Sequence, residues 1–173
     1  MDNNVVLAVS ATLVEHGFAT LRFNFRGVGN SQGEHVKGEL EHQEALSAME
    51  FLSDWDGVDA ANLGLAGYSF GTGIILGSTS LQDQAKVFAL VSPSLARLEE
   101  SPLKSNRRPK FVISGDQDQM IKSPGLDRIL ASFEQPFTCE FVPGADHFWV
   151  GQEGIMAEKV SQFFIDHLAK QPA

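Results

Sequence analysis

Residues 63–76 read LGLAGYSFGTGIIL. The first part is an apolar run of strand length, and the last part carries small and aliphatic side chains that suit a helix packed on a sheet. Between them stands Ser69, with Gly67 before it and Gly71 after it. Glycine at these spacings predicts a sharp strand-to-helix turn that exposes the serine hydroxyl, because strand and helix approach too closely there for a Cβ. The stretch therefore predicts an α/β fold and a candidate nucleophile.

A serine hydroxyl is a poor nucleophile at neutral pH, so this interpretation requires a histidine to take its proton and a carboxylate to orient that histidine. A predicted buried strand, 110–115, is followed by Asp116 and Asp118, and a second predicted strand, 137–142, is followed by His147. The carboxyl ends of parallel strands meet at one edge of a sheet. We therefore expect one of these carboxylates, the imidazole and the hydroxyl to converge there.

Four motifs of the chain resemble those of the small bacterial α/β-hydrolase family related to dienelactone hydrolases: Gly-Tyr-Ser-Phe-Gly, Gly-Asp-Gln-Asp, Gly-Ala-Asp-His and residues 21–33, LRFNFRGVGNSQG. The resemblance spans almost the whole chain, and Ser, Asp, His is the order of these groups in α/β-hydrolases. It implies a three-layer α/β-hydrolase-like sandwich with a mostly parallel sheet. It also implies that Ser69 is the nucleophile, that His147 is the general base and then acid, and that the Phe70 backbone N–H is one oxyanion donor. The family's acid is the aspartate of a Gly-x-x-Asp turn, which favours Asp118 over Asp116 and leaves Asp116 open.

Each of these residues also has a structural interpretation. Ser69 suits the N-cap of a helix, where serine is favoured. His147 could be a loop histidine that bonds to its neighbour Asp146. Asp116 and Asp118 could both be turn formers that satisfy their own backbone. The strand context favours the catalytic roles for the serine and the histidine, and the aspartate is the weakest of the three assignments.

The resemblance breaks down at the start of the chain. In the family, a Met-Asp-Asn sequence like residues 1–3 follows two or three strands and a His-Pro-containing, glycine-rich loop that supplies a second oxyanion donor. Here residues 4–17 form a predicted first helix instead. Either Met1 is a misassigned start, or the fold has adapted. A missing strand between predicted strands 19–25 and 63–68 would leave unpaired edges, which favours a homodimer through those edges.

The same departure bears on activity. Removing one oxyanion donor typically lowers the rate about a hundred- to a thousandfold, so we expect weak activity. A second hypothesis follows, in which the chain is a catalytically weak or inactive α/β-hydrolase fragment or a binding module.

Apolar and amphipathic runs alternate along the chain, which is typical of strands joined by crossover helices. The strands are predicted at 18–25, 62–68, 86–92, 110–115 and 137–142. Between the third and fourth of these strands only a short polar stretch, 94–109, stands where many relatives of the superfamily insert a lid. We therefore expect a single domain over 1–173, without a lid domain and with an open site.

Composition excludes several classes of function. With 173 residues and 43% hydrophobic content the chain suits one core, and a formal net charge of -9 without a basic stripe argues against nucleic acid. The single cysteine, Cys139, fits a reducing compartment, and no apolar run is long enough to span a membrane. We expect a cytoplasmic protein with no membrane partner and no cofactor. The histidines lack metal-ligand spacing, so no metal is predicted.

Apolar side chains flank the predicted site residues. Met120, Phe148 and Trp149 are candidates for an acyl-binding surface, and the glycines of 27–33 predict a tight loop beside the site. Arg26 is expected to hold that loop by pairing with a carboxylate. An open apolar cleft favours a small or flexible ester or thioester as the substrate. The sequence predicts a serine hydrolase of carboxylesterase or thioesterase type that works through an acyl-enzyme.

Overall fold

The structure is a computed structural model that describes residues 2–36, 38, 40–121 and 126–169, so Met1 lies outside the described residues. In chain order its elements are α1 (Asn4–Glu15), α2 (Glu41–Ser53), β1 (Gly64–Tyr68), α3 (Phe70–Gly77), α4 (Thr79–Gln84), β2 (Val87–Val91), α5 (Leu95–Glu100), a 3-10 helix (Pro102–Ser105), β3 (Lys110–Gly115), α6 (Leu126–Ala131), β4 (Phe137–Val142) and α7 (Glu153–Leu168).

The four strands form one parallel sheet in the order β1-β2-β3-β4. Gly64 lies opposite Val87 in the first pair, and Lys110 lies opposite Phe137 in the last. The predicted strands at 62–68, 86–92, 110–115 and 137–142 are confirmed, each within two residues of its predicted bounds. Because all pairs are parallel, the carboxyl ends of the strands share one edge, as the α/β prediction requires.

Helices cover both faces of the sheet, which gives the predicted three layers. On one face, α1 and α7 pack through stripes of buried residues at helical spacing: Val5, Val9, Leu13, Met156, Val160, Phe163, Phe164 and Leu168. On the other face, β2 contributes Phe88 and Leu90 to a second core with residues of α2, α3 and α6. The side chains of β2 thus enter both cores, which explains why its sequence is apolar throughout.

The prediction of a strand at 18–25 is wrong. These residues belong to no helix and to no strand of the described sheet, and among the described residues β1 pairs with β2 alone. Side chains hold the segment instead: Phe18 packs edge-on against Phe164 with ring centroids 6.3 Å apart, and Phe25 packs against Phe70 at 5.5 Å. Aromatic residues such as those of 18–25 are frequent in strands, which is why the sequence predicted one here. A strand forms, however, only where its backbone groups pair with those of a neighbouring strand.

An apolar groove of about 510 Å³ separates this segment from the open edge of β1. Side chains of α1, α2 and α7 form its walls, among them Val9, Met49 and Phe164. Ala66, in the middle of β1, is exposed. The groove is thus the place where the sequence predicted an unpaired edge of the sheet.

The stretch that follows β2 is compact. Between Ser94 and Pro109 it contains only α5 and the 3-10 helix, so the described part of the chain inserts no lid domain there, as predicted. None of the helices in the described residues is both long and apolar enough to cross a bilayer.

Candidate active site

Ser69 lies on the turn between β1 and α3, with φ 48° and ψ −108°. An L-residue rarely adopts a positive φ, and such strain typically costs about 1–3 kcal/mol. Gly67 permits the turn, because a Cβ there would lie 2.8 Å from the Gly71 carbonyl carbon. Gly71 itself has open space around its Cβ position. The steric reason we expected for both glycines therefore holds for Gly67 alone.

Three side chains from three different loops meet at this turn. The Oγ of Ser69 lies 2.9 Å from Nε2 of His147, and Nδ1 of His147 lies 2.9 Å from Oδ2 of Asp118. A carboxylate can only accept, so the Nδ1 proton points to Asp118. Nε2 is then left as the acceptor for the serine hydroxyl, which is the arrangement that proton removal from Ser69 requires.

Asp118 is almost completely buried, with 1% of its surface exposed. Burial by itself raises the pKa of a carboxyl group, but hydrogen bonds from the Met120 N–H, from His147 and from the Ser92 hydroxyl outweigh it. The pKa of Asp118 is therefore held below its ordinary value. Ser114 also donates to Oδ2, at 3.2 Å. The carboxylate is thus kept charged and fixed beneath the imidazole.

The competing interpretations of the sequence fare differently. Ser69 makes no side-chain capping bond to α3. Asp146 accepts from the N–H groups of Phe148 and Trp149 rather than from His147. Asp116 accepts from the Gly144 N–H at 2.8 Å, which ties the loop after β3 to the loop after β4. Asp116 is therefore a loop-bridging residue, and Asp118 is the aspartate next to the imidazole.

Gly115 allows those two loops to touch. A Cβ on Gly115 would lie 2.0 Å from the Ala145 carbonyl oxygen, which itself accepts the N–H of Gln117 at 2.9 Å. A side chain at position 115 would therefore push the loop that carries His147 away from the loop that carries Asp118.

We expect Gly115→Ala to destabilise the protein by about 3 kcal/mol or more, because the clash is with backbone and cannot be relieved by a rotamer change. Urea unfolding measures the loss. The matched control is Gly154→Ala in α7, where a Cβ meets nothing within 4 Å, so stability should stay the same or rise by up to about 1 kcal/mol. Equal stability of the two variants would contradict the close approach of Ala145 to Gly115.

Phe70, the first residue of α3, directly follows Ser69. The first N–H groups of a helix have no intrahelical acceptor, and no described residue accepts from this one. The loop at 26–36 packs on the Phe70 ring through His35, with centroids 4.7 Å apart. Arg26 holds that loop through Glu44, at 2.6 Å, as predicted.

Glu41, the first residue of α2, is fully buried. Its carboxylate accepts the backbone N–H groups of Val36, Gly38 and Leu40 and lies 2.9 Å from Nδ1 of His35. Burial alone would raise the pKa of Glu41, but these hydrogen bonds outweigh it and lower the pKa. One buried carboxylate thus shapes the loop beside Ser69.

A cleft of about 480 Å³ opens above Ser69. Phe70 and Met120 line it, so Met120 is the one of the three predicted apolar side chains that lines this cleft. Phe148 is 65% exposed and stands edge-on to His147, with ring centroids 5.7 Å apart. Trp149 is completely buried, which corrects our prediction that it contacts substrate.

Sequence reasoning missed the serine side chains that lie near Asp118. The indole N–H of Trp149 donates to Ser92 Oγ at 2.9 Å, and Ser92 is one of the groups that lower the pKa of Asp118. Ser92 directly follows β2, and Ser114 is the penultimate residue of β3. The rule that located His147 could have found both, because small polar residues at strand carboxyl ends point to the same edge.

Among the residues that the structure describes, no group of three or more histidine, cysteine, aspartate or glutamate side chains is arranged to hold a metal ion. The contacts of the site are hydrogen bonds between protein groups.

Comparisons with known proteins agree with this geometry. A scan against models of protein families finds no match. An uncharacterized protein of Rickettsia prowazekii is 27% identical over an alignment of 173 positions, and the match covers 95% of this chain and 72% of the relative. A structure described as an alpha-beta serine hydrolase homologue from Coxiella burnetii is 27% identical, with a TM-score of 0.80, over 94% of this chain and 76% of that one.

A second solved structure is equally similar. A Xanthomonas campestris protein described as an α/β serine hydrolase without a lid is 26% identical, with a TM-score of 0.83, and the match covers 99% of this chain and 77% of that one. Neither structure is described as a dienelactone hydrolase, so that narrower resemblance stays a prediction. The parallel sheet, the strained turn at Ser69 and these two structures together show that the chain has an α/β-hydrolase fold and is similar to small α/β serine hydrolases.

Proposed function

We propose that this protein is a serine hydrolase that cleaves small carboxylic esters or thioesters through an acyl-enzyme on Ser69. The observation that carries the proposal is the continuous chain of two 2.9 Å contacts from Ser69 through His147 to Asp118. A serine, a histidine and a buried carboxylate in this order are the components of nucleophilic acyl transfer.

In the first half of the proposed reaction, Ser69 Oγ attacks the substrate carbonyl carbon while its proton moves to Nε2 of His147. The Phe70 N–H donates to the resulting oxyanion. As the tetrahedral intermediate collapses, the bond to the leaving alcohol or thiol breaks, and His147 returns the proton to it. Asp118 stabilises the imidazolium that exists between these two transfers.

In the second half, water takes the place of the alcohol. His147 removes a proton from the water, whose oxygen attacks the acyl carbon of the Ser69 ester. Collapse releases the carboxylic acid, and the proton on His147 returns to Ser69 Oγ. The products are one acid and one alcohol or thiol, and the enzyme ends in its starting state.

Chromogenic esters and a fluorophosphonate probe test this proposal. We expect the purified protein to hydrolyse p-nitrophenyl butyrate and to form one adduct, which peptide mass spectrometry should locate on Ser69. A folded protein that forms no adduct and does not turn over the ester would support the alternative, a binding module or inactive fragment of the same fold.

Self-association through the open edge of β1 is part of the proposal, because an unpaired strand edge offers backbone donors and acceptors to a second chain. We expect light scattering to give a mass that rises towards a dimer with concentration. Ala66→Lys would place a charge on that edge and should return the protein to a monomer. A wild-type protein that stays monomeric at high concentration would contradict this prediction.

A cytoplasmic location is also proposed. It is supported by the single cysteine, Cys139, which cannot form an internal disulfide. Cell fractionation with an antibody to the native protein tests it.

A further inference from the structure

Arg97 lines the same cleft as Ser69, and its guanidinium makes no ion pair with any described residue. Among the other described cations, Arg26, Arg128 and Lys159 each pair with a glutamate, whereas Lys86 and Arg107, which do not line the cleft, form no ion pair with described residues. The chain carries 22 acidic residues against 13 basic ones, so carboxylates are abundant. An arginine that stays unpaired beside the nucleophile leaves its positive charge available to a bound molecule.

The guanidinium of Arg97 lies beside Gly73 in α3, about one helical turn from Ser69. Nε of Arg97 would be 3.7 Å from a Cβ on Gly73, so the side chain lies against the helix where glycine leaves it room. Gly73 is four residues beyond Ser69, which is about one helical turn, or about 6 Å along the axis. A substrate whose carbonyl lies at Ser69 would therefore meet the guanidinium a few bonds further along.

The charges around this position favour an anion. His42 lines the cleft as a second polar side chain, and none of its described lining residues is acidic. The two carboxylates that lie nearby are buried and already hydrogen-bonded, Asp118 beneath the floor and Glu41 next to His42. On α5 itself, Glu99 pairs with Arg128, and Glu100 makes no ion pair with Arg97 among the described residues.

We propose that Arg97 binds a carboxylate of the substrate, so that the natural substrates are short-chain esters or thioesters with an anionic group, such as half-esters of succinate or glutarate. This inference rests on the proposed hydrolase function. A planar guanidinium binds a carboxylate with two parallel hydrogen bonds, which is stronger and more directional than a contact with an ammonium group. The apolar side chains of Phe70 and Met120 then bound the connecting methylene groups.

Matched substrate pairs test the inference. We compare p-nitrophenyl glutarate half-ester with p-nitrophenyl pentanoate, and 4-acetoxybenzoate with phenyl acetate, so that the charge lies on the acyl group in one pair and on the leaving group in the other. Arg97→Gln should lower kcat/KM for the charged member of one pair about 10-fold, mainly through KM. The neutral members should change by less than about twofold.

The control is Arg128→Gln, an exposed arginine on α6 that does not line the cleft, and it should leave both pairs unchanged. Added salt should weaken the wild-type preference for the charged ester, because the contact is partly exposed. An Arg97→Gln variant that treats the charged and neutral members of both pairs as the wild type does would overturn the inference and leave the hydrolase proposal intact.

A binding measurement keeps the inference testable if the protein proves inactive. Glutarate itself is not a substrate, and isothermal titration should show that the wild-type protein binds it about 10-fold more tightly than Arg97→Gln does. Equal affinities, or no binding by the wild type, would overturn the inference. Hydrolysis of the neutral esters separately decides the proposed function.

Discussion

Ser69→Ala is expected to abolish turnover of p-nitrophenyl butyrate, with a fall in kcat of about ten-thousandfold to a millionfold. The substitution removes the proposed nucleophile, the hydroxyl that lies 2.9 Å from Nε2 of His147. It should also abolish labelling by the fluorophosphonate probe. Stability should change little, since alanine keeps the Cβ that serine already has at this strained φ.

Ser80→Ala is the matched control, because Ser80 is an exposed serine on α4. It should keep full activity and full labelling. A Ser69→Ala protein that still forms the adduct would show that another residue is the nucleophile, and the proposed function would then be wrong.

Asp118→Asn should lower kcat by about a thousandfold to ten-thousandfold, while Asp116→Asn should change it by less than about threefold. An amide at position 118 can donate to Nδ1, which favours the imidazole tautomer with its proton on Nε2 and takes away the acceptor for the Ser69 proton. At position 116 the asparagine keeps an oxygen that can accept the Gly144 N–H. Similar losses in the two variants would contradict the assignment of the acid to Asp118.

The pH dependence of stability gives Asp118 a second test. Its pKa in the folded protein lies below the ordinary value of about 4, so its contribution to stability is present above that pH and is lost as the pH falls through the folded value. Asn does not titrate. The free energy of unfolding of the wild type should therefore fall more steeply than that of Asp118→Asn between about pH 5 and pH 2. Parallel curves would contradict the lowered pKa.

Strands β2 and β3 were predictable because they are buried on both faces, and a doubly buried strand must be apolar at successive positions. The segment at 18–25 was also predicted as a strand, and the sequence alone could not show that it pairs with no strand of the described sheet. Strand formation depends on hydrogen bonds to another part of the chain, and those are not a local property.

The aspartates show the same limit at the site. Asp116 and Asp118 both follow β3 within three residues, so strand topology places either of them at the correct edge. In the structure Asp116 accepts the Gly144 N–H of the neighbouring loop, whereas Asp118 lies 2.9 Å from Nδ1 of His147. Likewise, Trp149 neighbours His147 in the chain, but its indole lies in the core against Ser92.

The sequence by itself determined which groups are candidates for the chemistry. One predicted strand runs into a glycine-flanked serine, and two later strands are followed by aspartate and by histidine. Because the carboxyl ends of parallel strands share one edge of the sheet, this order brings the three side chains together. Only the tertiary structure decided which aspartate faces the imidazole, which aromatic side chain lines the cleft, and that Arg97 lines the same cleft as Ser69 without an ion pair to a described residue. The physical reason is that contacts across loops depend on backbone approach and side-chain packing over distances of a few ångströms, which residue order does not encode locally.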